Sequence, residues 1–299
     1  MELRHIRYFL AVAEEGNFTR AAAHLGIGQP PLSQQIRDLE QEIGVQLFHR
    51  VPHGAVLTEP GRIFREKVVA LPQAVADAME AARRAARGES GELRMGFTGA
   101  AAINPIVQRI IRDFRKERPG IALQLLEANS IRLRTETVEG RLDLAILRPN
   151  RTDPPELVCH ELTREALVAA VSLGRDPLPE AADIPLSVLS EHPLILTPQK
   201  IGISLRSSAI EACRAAGFEP VIGQPAPQII SILSLVAAGL GFSLVPESMS
   251  KLALDGVVYK RLIDGPTVGI AVGVRRGPLP AAAAAFLAKA KSIAAASGQ

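Results

Sequence analysis

Apolar residues in the first forty positions recur every three or four residues. Leu3, Ile6, Phe9, Leu10 and Ala13 predict a first helix that stops near Gly16. Asn17 and Thr19 are both suited to cap a second, short helix through Leu25, with Phe18, Ala21, Ala22 and Leu25 turned inward. The two alanines let that helix approach its neighbours closely. Gly26 and Gly28 make a tight turn. Gln29-Pro30-Pro31 then opens a third helix, where proline is tolerated because first-turn amides have no intrahelical acceptor. Leu32, Ile36 and Leu39 form the buried stripe of that helix. Ser33, Gln34 and Arg37 fall off the stripe and are expected to face outward.

From Glu59 to about Arg87 the chain is rich in Ala, Glu and Arg, which favour helix. Phe64, Val68, Leu71, Val75, Ala78, Ala82 and Ala85 follow one another at spacings of 4, 3, 4, 3, 4 and 3. That heptad seam predicts pairing with a second copy of the helix; the plainer alternative is an amphipathic helix packed on its own domain. Pro72 lies within the segment and is expected to kink it, at a cost of roughly 3 kcal/mol.

Beyond a linker at Gly88–Gly91, short apolar runs alternate with helical patterns. Strands are expected at Leu93–Phe97, Ile121–Glu127, Leu142–Leu147, Ala166–Val171, Leu194–Leu196, Phe242–Val245, Val257–Leu262 and Val268–Val274. Helices are expected at Asn104–Glu117, Ser130–Glu139, Ser204–Ala216, Ile229–Ala238 and from Pro280 onward. The alternation predicts an α/β fold with a mostly parallel sheet.

Composition changes this picture little. Hydrophobic residues make up 47% of 299, ample for buried cores. No apolar run approaches the roughly 18 residues of a membrane span, and charges interrupt the first ten residues, unlike a signal peptide, so a cytoplasmic protein is expected. Cys159 and Cys213 form no metal-ligand pair and are read as buried thiols. No metal and no cofactor are expected. Net charge is +3 overall, yet residues 1–90 carry 11 basic and 11 acidic side chains. Bulk electrostatics therefore give no support for a nucleic-acid partner, and that case rests on pattern.

Pattern does supply one. Gln34 and Arg37 carry the amide and guanidinium groups that read adenine and guanine edges, and Ser33 is adaptable. A solvated polar face on an ordinary three-helix domain is the alternative. The run FTRAAAHLGIGQPPLSQQIRDLE (Phe18–Glu40), followed by IGVQLFHR and LTEPG, resembles the signature of LysR-type transcriptional regulators over the first sixty residues. The opening MELRHIRYFLAVAEE is similar to members that govern catabolism of aromatic compounds. This resemblance implies a winged helix-turn-helix over residues 1–58, a linker helix for dimerisation over 59–88, and an effector-binding domain over 89–299. It implies DNA contacts from Gln29, Pro30, Ser33, Gln34 and Arg37, with Arg50 near the wing. His53 stands where family wings often carry arginine, so its neutral imidazole makes a weaker phosphate contact.

The family's effector domain has two Rossmann-like lobes joined by crossing strands, similar to periplasmic binding proteins. By position the crossings fall near Leu162–Glu165 and Asp264–Val268. Lobe I then combines residues 92–162 with 268–299, and lobe II spans 164–265. Ligands in such sheets bind beyond the carboxyl ends of strands, against helix N-termini. The cleft residues by position are Thr98, Gly99, Ala100, Ala101, Asn104, Ser130, Arg148, Lys200, Gly202, Ile203, Ser204, Gln228 and Ile229. Thr98, Ser130 and Ser204 suit a carboxylate, and Arg148 or Lys200 would supply charge. A surface ion pair for Arg148 and helix capping for the hydroxyls are the competing readings. The resemblance further implies a small organic inducer such as an aromatic acid, a dimer or tetramer on a near-palindromic duplex, and RNA polymerase recruitment by an activator. An enzyme is not expected: GxSxG, Walker A, GxGxxG after a strand and HExxH are all missing, and His160 and His192 have no partner arranged for catalysis.

Overall fold

A computed structural model describes residues 1–52, 54–150, 152–174, 183–200 and 204–297. Of the residues singled out above, His53, Gly202 and Ile203 lie outside the described residues. The chain divides into two compact units, Met1–Arg83 and Arg84–Gln299.

The first unit opens with α1 (Leu3–Glu15), α2 (Phe18–Leu25) and α3 (Gln29–Ile43), followed by the hairpin β1 (Phe48–Val51) and β2 (Gly54–Leu57). Glycines in the left-handed region end all three helices, with φ of 59° at Gly16, 69° at Gly26 and 83° at Gly44. Asn17 caps α2 by accepting from the amides of Thr19 and Arg20. The expected apolar stripes meet in one core of Ile6, Phe9, Phe18, Leu32, Ile36 and Leu39. Phe9 meets Phe48 at a tilt and Phe64 edge to face, with ring centroids 5.2 and 5.0 Å apart.

The segment after the hairpin departs from expectation. It forms two helices, α4 (Glu59–Val68) and α5 (Leu71–Ala86), rather than one kinked at Pro72. Pro72 is the second residue of α5, where a missing N–H costs nothing. The seam divides accordingly. Phe64 and Val68 pack into the core of the first unit, whereas α5 has no buried residue and exposes Leu71, Val75 and Met79.

The second unit contains, in order, β3 (Ser90–Phe97), α6 (Gly99–Ala102), α7 (Pro105–Glu117), β4 (Gly120–Glu127), α8 (Ser130–Val138), β5 (Leu144–Leu147), β6 (Leu157–Ser172), β7 (Asp183–Ile184), α9 (Ser204–Ala215), α10 (Ile229–Ala237), β8 (Ser243–Pro246), β9 (Val257–Leu262), β10 (Thr267–Arg275) and α11 (Ala281–Ser297). Strand order is β4-β3-β5-β10-β6-β9-β7, with β8 also paired to β6. The sheet is mixed, not mostly parallel. β3 runs parallel to β4 and β5, but β10 is antiparallel to β5 and β6, and β6 is antiparallel to β8 and β9. The cause is β6, which runs 16 residues without interruption and serves both lobes.

β10 pairs back along β6 from Thr267↔Ala166 to Arg275↔Leu157, with a bulge at Ile270/Ala271. The first crossing therefore lies inside β6, and the second begins only at Thr267, after Asp264 turns the chain with φ 56°. The expected strand at Leu194–Leu196 is reduced to bridges from Leu194 to Ile222 and Phe242. One lobe packs Leu93, Met95, Ile110, Phe114 and Val272 against Phe286 of α11. The other packs Leu167, Ile184, Leu194, Phe242 and Leu244 against Ala209 of α9.

Candidate nucleic-acid interface and effector cleft

The start of α3 follows the turn at Gly26 and Gly28. Pro30, Gln34 and Arg37 are exposed, and Gln29 is half-buried. Gln34 Nε2 donates to Asp38 Oδ1 at 2.7 Å, and Arg37 Nη2 donates to Gln34 Oε1. Amide and guanidinium are thus aligned along one outward face. Ser33 corrects the expectation: it is buried, and its Oγ accepts from Gln29 Nε2 at 2.8 Å. Position 33 is three residues before Ile36, so it flanks the buried stripe rather than opposing it. Its role is to hold Gln29.

The hairpin beside α3 is anchored at several points. Glu40 Oε1 accepts from the Leu47 and Phe48 amides at 2.7 and 3.1 Å, and the Ala55 amide donates to Gly16 O at 2.8 Å. Thr58 caps α4 by accepting from the Gly61 amide, and its hydroxyl donates to Gln46 O. Gly61 is required there, since a Cβ would lie 2.1 Å from Leu47 O. The LTEPG run is explained in this way as a cap, a first-turn proline and a close backbone approach. Arg50 is exposed on β1 with its guanidinium 5.0 Å from the Phe18 ring centroid. His5 is structural: Nδ1 accepts from the Glu2 amide and Nε2 faces Gln35 Oε1.

In the second unit, a cavity of about 90 Å³ lies beside the crossing strands. Thr98, Gly99, Ala100, Ser130, Arg148, Ser204, Gln228 and Ile229 line it, as expected. The opening residues of α8, α9 and α10 (Ser130, Ser204 and Ile229) therefore share one wall. Its apolar surface comes from Leu196, Leu205, Ile232 and Val245, which positional reasoning missed together with Thr197, Arg206 and Ser243.

Three expected residues are not part of the lining. Ala101 is packed into the core of its lobe. Asn104 is buried and caps α7 through the Ile106 amide at 3.0 Å. Lys200 is exposed on a turn and does not line the cavity. Thr98 lines the cavity and also caps α6, accepting from the Ala101 amide at 3.3 Å.

Arg148 is the charged centre of this region, and it is only 3% exposed. Its Nη2 donates to Glu165 Oε1 at 2.7 Å, and Glu165 Oε2 accepts from the Ser248 amide at 3.1 Å. Burial pulls the guanidinium's pKa down, against the opposing pull of Glu165. The surface ion pair considered from sequence is thus a buried one. Nearby Arg134, which sequence reasoning did not single out, donates to Arg148 O at 2.8 Å, as does Ser204 Oγ at 3.1 Å. Both thiols are pushed up to about 11, by burial first of all. Among the described residues no cluster of three or more His, Cys, Asp or Glu side chains is placed to hold a metal.

Two family profiles match this chain. The bacterial regulatory helix-turn-helix of the lysR family covers residues 3–62, and the LysR substrate binding domain covers residues 86–294. The chain belongs to the LysR family. Its relatives include the HTH-type transcriptional regulator AlsR of Bacillus subtilis, 36% identical over 88% of this chain and 86% of that protein. BudR of Raoultella terrigena is 37% identical over 92% of this chain and 95% of its own length. Among solved structures, full-length CbnR complexed with its target DNA superposes with a TM-score of 0.83 at 26% identity, covering 98% of this chain and 100% of that one. This LysR-family protein is accordingly a DNA-binding transcriptional regulator with an effector-binding domain, and not an enzyme. Its fold class is the expected one: an N-terminal helix-turn-helix followed by a two-lobed α/β domain.

Proposed function

We propose that this regulator is switched by a small organic acid, an aromatic monocarboxylate in particular, held between the lobes. The observation that carries this reading is the shared wall formed by Ser130, Ser204, Ile229 and Arg148. Helix N-termini favour negative charge, and an arginine supplies charge-assisted hydrogen bonds. Leu196, Leu205, Ile232 and Val245 suit an apolar body attached to that carboxylate. A ligand shifts the protein only as far as it binds one arrangement of the lobes better than another.

On the DNA side, Gln29, Pro30, Gln34 and Arg37 enter the major groove, with Ser33 positioning Gln29 and Arg50 and His53 near the backbone. The domain assignment follows as residues 1–58 for DNA, 59–88 for the linker and 89–299 for the effector. The exposed Leu71, Val75 and Met79 of α5 favour self-association through that helix, placing two reading heads on one near-palindromic duplex. Assembly into a dimer or tetramer, recruitment of RNA polymerase and work in the cytoplasm complete the reading. Selection from a random duplex library tests it. Enrichment of paired half-sites about 10 base pairs apart, or a multiple of that, supports it, and enrichment of single unpaired sites contradicts it.

A further inference from the structure

Arg148 follows the end of β5 in one lobe, yet its one short side-chain bond reaches the strand that passes into the other. Glu165, on the stretch of β6 that passes between the lobes, holds Nη2 at 2.7 Å with one oxygen and the Ser248 amide with its second. Among the described residues Nη1 reaches only Gly269 O, at 3.4 Å. Nε is buried with no hydrogen-bond partner among the described residues. A buried guanidinium with five N–H groups therefore makes one short bond, and that bond is to an anion belonging to the protein itself. The same side chain lines the cavity in which a small carboxylate is placed above.

We propose that Glu165 is a resident competitor for Arg148, so that a small monocarboxylate acts on the cleft by taking Glu165's place on the guanidinium. This rests on the reading of the cleft as a carboxylate site. At rest Glu165 neutralises the Arg148 guanidinium, so an anion gains that charge only if it displaces a carboxylate. A stronger ligand wins by offering oxygens to Nη2 and Nε together, satisfying the donor that Glu165 leaves open. Exchange also uncouples Arg148 from Ser248, because Glu165 is the only bridge between those two residues among the described contacts. Occupation of the cavity and release of a contact between the lobes thereby become one event. Glu165 is a specificity-determining and positioning residue in this scheme.

The test is calorimetric titration of the full-length protein with sodium benzoate at constant ionic strength, for the wild type, Glu165→Gln and Glu165→Asp. Glu165→Gln removes the competing charge and is expected to bind benzoate at least tenfold more tightly than the wild type. Its melting temperature is expected to fall without benzoate and to recover as benzoate is added. Glu165→Asp keeps the charge on a shorter arm and is expected to lie between the two. It also answers the question if Glu165→Gln fails to fold. Wild-type binding that neither variant strengthens overturns the competitor role and leaves the carboxylate reading standing. No saturable binding in the wild type or either variant overturns both.

Discussion

Arg148 and Glu165 form an ion pair, 2.7 Å from Nη2 to Oε1, in which both side chains are less than a tenth exposed. The pair lies where β6 passes from one lobe into the other. Taking two charges out of water is costly, so such a pair adds little net stability, but losing one partner leaves the other uncompensated. Arg148→Met is therefore expected to destabilise the second unit by about 3–5 kcal/mol. The double variant with Glu165→Leu is expected to recover most of that loss. Denaturant unfolding in a double-mutant cycle measures both, and equal losses in single and double variants would contradict the buried-pair account.

Gln34 and Arg37 are exposed on α3, so neither contributes much to its folding. Replacing either with alanine is expected to weaken binding to a specific duplex by about 1–3 kcal/mol while leaving the melting temperature nearly unchanged. Ser33→Ala should show the reverse emphasis, costing about 1 kcal/mol in stability through the lost bond to Gln29. Fluorescence anisotropy beside thermal melts separates the two effects. A Gln34→Ala protein that binds as tightly as the wild type removes that residue from the interface.

Exposed Val75 and Met79 lie four residues apart on α5, on one helical face. A charge placed there, as in Val75→Glu, is expected to halve the particle mass measured by light scattering. Affinity for a two-half-site duplex should fall by more than tenfold, because the second reading head is lost. Unchanged mass would show that α5 is not the seam.

Cys159 and Cys213 have thiols pushed up to about 11. The thiolate is the reacting species, and raising the pKa lowers its population at any pH below that value. A shift of two units reduces the ionised fraction at pH 8 by about a hundredfold. Modification by iodoacetamide is thus expected to be slow at pH 8 in the native protein, and to accelerate as pH rises or on unfolding. Cys159 is half-buried and Cys213 buried, so fast native labelling of Cys213 at pH 8, read by mass spectrometry, would contradict its burial.

Local rules made the first unit readable. The stripes of Ile6, Phe9, Leu32, Ile36 and Leu39, the Asn17 cap and the glycine stops each depend on residues within one turn, and all reappear in the structure. Ser33 is buried against expectation because a residue three before a core isoleucine lies at the margin of the stripe, where packing decides its burial. The helix break at Val69–Ala70 carries no glycine or proline of its own, and Pro72 fits a helix start as well as a helix kink.

In the second unit the sequence showed strands but not partners. The antiparallel pairing of β6 with β10 joins segments about a hundred residues apart, and nothing local announces it. Strand ends and helix starts are legible in sequence, which is why Ser130, Ser204 and Gln228 are expected beside the cavity and do line it. Ile232 and Val245 read as ordinary core residues, and Arg134 and Glu165 as ordinary charges, until the fold brought them together.

Titration of the full-length regulator with sodium benzoate, set beside Ser130→Ala and Arg148→Lys, tests the cleft most directly. The account predicts saturable wild-type binding that weakens about tenfold when the Ser130 hydroxyl is lost. It predicts a comparable loss in Arg148→Lys, since a lysine cannot reproduce the planar two-pronged contact of a guanidinium with a carboxylate. Undiminished binding in both variants would place the acid elsewhere on the protein and contradict the account.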